Sequence, residues 1–228
     1  MTIEPIQFTS VVVPTFNAEL FIGRCLRSLL HQSVNKNSFE IIIIDDGSND
    51  RTSYAISQFC DPYESLIKVI TNDENIGLPA SLNKGILAAK GDYLVRVDSD
   101  DYVSAHFIEF LRYYLDSNNS ANAVACDYVT VDDNENILSR FDSSKMPIGC
   151  GIMFHKDKLI ESGMYDSEFL CHEERELRFR FEKKYNIEHL RLPLYRYREH
   201  ENSITKNSNL MQKYKDKLIS KHGPKASF

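Results

Sequence analysis

Asp98, Asp100 and Asp101 stand within four residues of one another, after a run, residues 93–97, that reads as a buried strand. Carboxylates this close repel one another, and such a group is stable mainly with a cation among them. Hard oxygen ligands of this kind suit Mg²⁺ or Mn²⁺, ions that also neutralise phosphates. A solvated Asp-rich turn is the simpler reading of an isolated Asp-x-Asp. The cluster gains meaning from polar groups after two other apolar runs. Thr15 and Asn17 follow residues 10–14, and Asp45 and Asp46 follow residues 40–44.

These groups need elements to position them. Residues 10–14 and 40–44 are short β-branched runs suited to strands buried on both faces. Residues 67–70 read as a third strand, and the run before the acidic cluster as a fourth. Between them, residues 21–30, 50–59 and 79–89 read as helices, the first with apolar residues at helical spacing. Strand and helix alternate, which implies parallel strands joined by right-handed crossovers. Ligands bind such sheets outside the carboxyl ends of the strands, where the polar groups lie. The second half is less regular. Residues 106–115 and 173–185 read as helices and 123–131 as a strand, and Gly149-Cys150-Gly151 precedes the apolar Ile152-Met153-Phe154.

With 228 residues, 42% of them hydrophobic, the chain fits one domain with a substantial core. A net charge of −6 argues against general nucleic-acid binding. Five scattered cysteines without a Cys-x-x-Cys pair read as reduced thiols in a cytoplasmic protein, not as a zinc site. No run approaches the ~18 apolar residues of a membrane span. The first nine residues lack the regions of a signal peptide.

In order and spacing, the motifs resemble those of the family 2 glycosyltransferases over roughly residues 9–207. They are Val11-Val12-Val13-Pro14-Thr15-Phe16-Asn17, Ile43-Ile44-Asp45-Asp46-Gly47-Ser48, Asn75-Ile76-Gly77-Leu78, Leu82-Asn83-Lys84-Gly85 and Asp98-Ser99-Asp100-Asp101. The resemblance implies a GT-A fold, an α/β Rossmann-like single domain with a mostly parallel central sheet flanked by helices. Residues 9–105 would bind the nucleotide sugar, 106–205 would carry the acceptor and catalytic half, and 206–228 would be a polar tail. It further implies transfer of a sugar from a nucleotide diphosphate donor, with inversion, using Mn²⁺ or Mg²⁺. The acceptor would be a saccharide or a lipid-linked molecule.

By the same resemblance, Asp46 would accept a hydrogen bond from the imide of a uracil base. Pro14, Thr15 and Phe16 would line the base pocket. Asp100 would bind the metal directly, and Asp98 would contact the ribose or reach the metal through water, with Ser99 between them. Asp101 would hold the loop or contact the sugar. Gly77 and Asn83 would border the diphosphate or sugar. The segment starting His172-Glu173-Glu174 resembles the family's Glu-Asp motif, whose second acid serves as general base. Glu stands here for the commoner Asp, so the choice between Glu173 and Glu174 is open. Acidic residues also simply favour a helix N-terminus, by ~0.3–1 kcal/mol each. His200 resembles a late histidine that completes the metal shell, a role suited to a neutral imidazole. A surface-loop histidine is the rival reading.

Two other classes compete. A nucleotidyltransferase would carry a Gly-rich phosphate loop after the first strand, where this chain has Pro14-Thr15-Phe16-Asn17. A noncatalytic binding module would not need the candidate base. The tail carries Lys213, Lys217 and Lys221 at helical spacing beside Leu210, Tyr214 and Leu218, a pattern suited to peripheral contact with the inner face of an anionic membrane or to a solvated helix.

Overall fold

The computed structural model describes residues 7–200 and 207–226. The expected parallel strands are β1 (Thr9–Thr15), β2 (Phe39–Asp45), β3 (Ile67–Thr71) and β4 (Tyr93–Arg96). They lie side by side in the order β3-β2-β1-β4. Side chains alternate across this sheet, as the period of two requires. Val11, Val13, Ile41 and Ile43 enter one core with α1 (Ile22–Leu30). Val12, Ile42 and Ile44 enter the other with α3 (Leu78–Ala88). The helix α3 sits so close that a Cβ on Gly85 would meet Val12 Cγ1 at 2.4 Å. Between β2 and β3 runs α2 (Thr52–Cys60).

The sheet turns mixed beyond β4. The remaining strands are β5 (Tyr102–Val103), β6 (Ala123–Val131), β7 (Ile137–Phe141), β8 (Ile152–His155) and β9 (Ile187–Arg198). Next to β4 lies β8, antiparallel, then β6, antiparallel again, with β9 parallel to β6 and β5 at the end. The helix α4 (Phe107–Ser117) covers the face shared with α1, and α6 (Glu173–Phe181) the face shared with α3. The short α5 (Lys156–Glu161) follows β8.

Three differences from the sequence reading have physical causes. The strand β9 is invisible to periodicity because Pro193 and a register shift opposite Asp127 interrupt its alternation. The helix α6 stops four residues before Tyr185, where the Phe181 carbonyl accepts from both Lys184 N and Tyr185 N. The polar tail is a docked helix, α7 (Ser208–His222), capped by the Asn207 side chain on Leu210 N at 3.1 Å. Its apolar stripe is spent on the protein: Tyr214 and Leu218 bury against Phe169 and Cys171. Lys217 binds Glu168 at 2.9 Å, and Lys221 binds Asp166 at 2.6 Å and Glu176 at 2.7 Å. Membrane contact through this tail therefore gains no support, since both halves of the expected amphipathic face already have partners in the protein. Among the described residues no helix is long and apolar enough to cross a membrane. Residues 1–6 and 201–206, on which parts of the leader, His200-segment and tail readings fall, lie outside the described residues.

Candidate active site

The loops after β1 and β2 are stitched to each other. Asn17, at φ 49°, donates its N–H to Ser48 Oγ at 3.0 Å and accepts at Oδ1 from Asn49 N at 2.9 Å. Thr52 Oγ1 accepts from Ala18 N at 2.7 Å. This rim borders a cavity of about 730 Å³. Pro14 and Phe16 reach it from the end of β1. Asp98, Ser99 and Asp100 reach it from the loop after β4, Glu173 and Glu174 from the first turn of α6, and His200 from beyond β9. Eight of the expected site residues, from four separate parts of the chain, thus share one cavity.

Four others do not line it. Thr15 is buried, its hydroxyl donating to the Val13 carbonyl at 3.3 Å. Asp46 is also buried and accepts from Asn72 Nδ2 at 2.8 Å, Ile76 N at 2.9 Å and Gly77 N at 2.9 Å. Its carboxylate holds the loop that leads into α3. Asn83 exchanges two hydrogen bonds with the Tyr165 backbone, at 2.7 and 3.0 Å. Gly77 has φ +88°, and a Cβ there would meet Leu170 Cδ2 at 2.9 Å.

The three aspartates have separate environments. Asp101 is buried and accepts from Tyr195 Oη at 2.7 Å and Arg198 N at 2.7 Å. The same Tyr195 oxygen accepts from Asp98 N at 3.0 Å. Of the two roles open to Asp101, the geometry supports holding the loop. Burial, then the charges of Asp100 and Asp98, push its carboxyl well above the ordinary range. Asp98 is gripped by the Arg96 fork, Nε on Oδ1 at 2.5 Å and Nη2 on Oδ2 at 3.0 Å. Asp100 is the most exposed of the three, and its Oδ2 lies 2.9 Å from His200 Nε2. The imidazole packs against Phe21 with ring centroids 5.0 Å apart.

The two glutamates also differ. Glu173 is buried and accepts from Arg96 Nη1 at 2.9 Å. Burial, then the neighbouring charge of Glu174, push its carboxyl up to about 7, against the pull of Arg96. Glu174 opens to the cavity, and its recorded ion pair with Arg175 is loose at 3.8 Å. Gly149 lets the two banks close up. A Cβ there would stand 2.9 Å from Glu174 Cβ and 3.0 Å from Arg96 Nη1. Just before α6, His172 adopts φ 60°, in the left-handed region, and turns the chain into the helix.

A dication fits Asp100 and His200 best. They offer a hard oxygen and an imidazole nitrogen side by side, and His200 Nδ1 is buried with no partner among the described residues. Asp98, Asp101 and Cys150 also come together closely enough to hold an ion. There, however, Asp101 is committed to Tyr195 and Arg198. Burial and the charges of Asp98 and Asp101 keep the Cys150 thiol well above its ordinary value, hence protonated and a poor ligand. Sequence reading missed Arg96, Gly149 and Tyr195. Only Arg96 left a trace, as a charge inside an otherwise apolar run, which must find partners.

The profile of the family described as Glycosyl transferase family 2 matches residues 10–190. The chain belongs to this family. As a family 2 glycosyltransferase it is 41% identical over 106 residues to poly(ribitol-phosphate) beta-glucosyltransferase of Bacillus spizizenii, covering 46% of this chain and 16% of that protein. It is 32% identical over 112 residues to TarS of Staphylococcus aureus, a poly(ribitol-phosphate) beta-N-acetylglucosaminyltransferase, covering 49% of this chain and 19% of that one. The chain thus spans well under half the length of these relatives. S. aureus TarS 1–349 in complex with UDP-GlcNAc superposes with a TM-score of 0.77 at 19% identity, over 93% of this chain and 66% of that chain. The Pyrobaculum calidifontis mannosyltransferase PcManGT, in complex with GDP-Man and Mn²⁺, superposes at 0.70 and 16% identity, over 96% and 61%. The fold of this family 2 glycosyltransferase is accordingly GT-A, a mixed sheet flanked by helices.

Proposed function

We propose that this chain is a metal-dependent, inverting glycosyltransferase of the cytoplasm. It moves a sugar from a nucleoside diphosphate donor, with UDP-sugars favoured, to a hydroxyl acceptor in the synthesis of a cell-surface polysaccharide or glycoconjugate. The observation that carries this reading is one cavity lined both by the Asp100–His200 pair and by the carboxylate of Glu174. UDP-GlcNAc in the TarS complex supports the donor class, and the poly(ribitol-phosphate) relatives support a polyol phosphate or similar polymer as acceptor. Five free cysteines fit a reducing compartment.

Each residue has a derived task. Pro14 and Phe16 offer an apolar face for the base. Asp98, held by Arg96, faces the cavity and would contact the ribose or reach the metal through water. Asp100 and His200 would hold Mn²⁺ or Mg²⁺, which would supply Lewis-acid stabilisation of the departing diphosphate. Asp46, buried beneath the rim, orders the loop ahead of α3, and its second role toward the base is part of this reading. Glu174 takes the acceptor proton as the new C–O bond forms, because among the described residues it is the one of the two glutamates with no cationic group within hydrogen-bond distance.

Glu174→Gln tests the reading. Turnover should fall by ~10²–10⁴, the usual weight of a general base, with Mn²⁺-dependent UDP binding retained in a calorimetric titration. Wild-type turnover would remove Glu174 from the chemistry. A thermal-shift screen of UDP-, GDP- and dTDP-sugars with Mn²⁺ identifies the donor.

A further inference from the structure

Arg96 is out of character for its place. It ends β4, whose neighbours are β1 on one side and antiparallel β8 on the other, and it is only 7% exposed. A buried guanidinium costs several kcal/mol unless its donors are met. Here Nε and Nη2 clamp Asp98, and Nη1 reaches Glu173. These two carboxylates both line the cavity and stand 75 residues apart (173 minus 98). Glu173 is the immediate neighbour of Glu174. Among the described residues, the recorded hydrogen bonds joining the Asp98 loop to the first turn of α6 run through this one side chain.

We propose that Arg96 is a positioning residue that fixes the distance between the donor-holding aspartates and the proton acceptor. The inference rests on the reading of Glu174 given above. The guanidinium withdraws Glu173 from the chemistry and pins the turn that carries Glu174. Its planarity is essential: a fork on one carboxylate and a third N–H on another define both distance and angle. An ammonium is a point charge on a flexible stem and defines neither. Gly149, which lacks the Cβ that would strike both Arg96 and Glu174, permits the approach.

Arg96→Lys keeps the charge and removes the fork. In that variant turnover should fall ~10–100-fold, as for an ångström-scale misplacement of a reacting group. UDP affinity in Mn²⁺ should fall by a clearly smaller factor than turnover, because Asp98 loses its fork but keeps a cation beside it. Amide exchange at residues 176–178 should rise tenfold or more without any ligand, while β1 and β2 amides keep their protection. Wild-type turnover, or loss of UDP affinity in step with turnover, overturns the proposal. So does unchanged exchange at 176–178, whatever the enzyme transfers. Should Arg96→Lys lose the β1 and β2 protection, Glu173→Ala decides. It leaves the Arg96–Asp98 pair intact and must reproduce the faster exchange at 176–178 with UDP binding kept. Exchange like that of the wild type overturns the proposal. A wild-type protein that transfers no sugar at all, yet shows the exchange effect, instead sinks the proposed function and leaves the positioning role standing.

Discussion

The two banks of the cavity are built by different means. The donor bank rests on four parallel strands, with Val11 to Val13 and Ile41 to Ile44 fully buried, and its rim is stitched by turns close to the strand ends. The catalytic bank rests on a mixed sheet, and distant side-chain pairs fasten it to the donor bank. Arg96 meets Glu173, Tyr195 meets Asp101, Arg198 meets Asp101 and His200 meets Asp100, across 77 to 100 residues. The difference is one of range: the polar groups after β1 and β2 are held by contacts between neighbouring loops, whereas the two banks are held to each other by long-range charge and hydrogen bonds that single substitutions can remove.

Substitutions that strike one bank and spare the other sharpen this contrast. Asp100→Ala strikes the donor bank. If Asp100 is the proposed metal ligand, its loss forfeits several kcal/mol of leaving-group stabilisation, so turnover should fall by ~10² or more. Mn²⁺-dependent UDP binding should fall with it, and calorimetry showing wild-type affinity would contradict the assignment. Gly149→Ala strikes the catalytic bank. Its Cβ would press on Glu174 Cβ at 2.9 Å, and turnover should fall by up to ~10². UDP affinity should stay, and a variant that loses both would show the two banks to be coupled. Tyr195→Phe removes the hydroxyl shared by Asp101 and Asp98 N and leaves a buried carboxyl short of a donor. Denaturant unfolding should show a loss of ~1–3 kcal/mol.

The smallest effect concerns the α7 anchor. Burial works to raise the Glu176 carboxyl, but Arg180, Lys221 and His222 together hold it below its ordinary 4.5. A lowered carboxyl contributes stability that is present above about 4.5 and lost as pH falls through the folded-state value. Glu176→Gln lacks that contribution. The melting-temperature gap between wild type and variant should therefore be widest near neutral pH and close in acid. A gap independent of pH would mean the anchor acts through packing alone.

How much was legible differs between the banks for the same reason. The strands β1, β2 and β4 announce themselves because burial on both faces demands continuous apolar runs. The residues at their ends were therefore readable as a crevice. The acidic start of α6 and the histidine at 200 were visible as motifs, yet the division of labour between Glu173 and Glu174 was not. The partner that decides it, Arg96, is 77 residues away. Asp46 and Asn83 read as ligand contacts, whereas their recorded bonds hold the protein's own loops. The tail read as an amphipathic surface, and the apolar stripe that suited a membrane suited Phe169 equally well.

The sequence alone determined the α/β class, the parallel orientation of the first strands and the family. Each follows from local rules: apolar periodicity, turn chemistry and the spacing of short motifs. Tertiary structure alone decided which of three aspartates is most exposed, which of two glutamates Arg96 holds, and where the lysine-rich helix rests. Those outcomes depend on which charges meet in space. A carboxylate's chemistry is set by the cation or N–H beside it, and sequence distance does not report that neighbour.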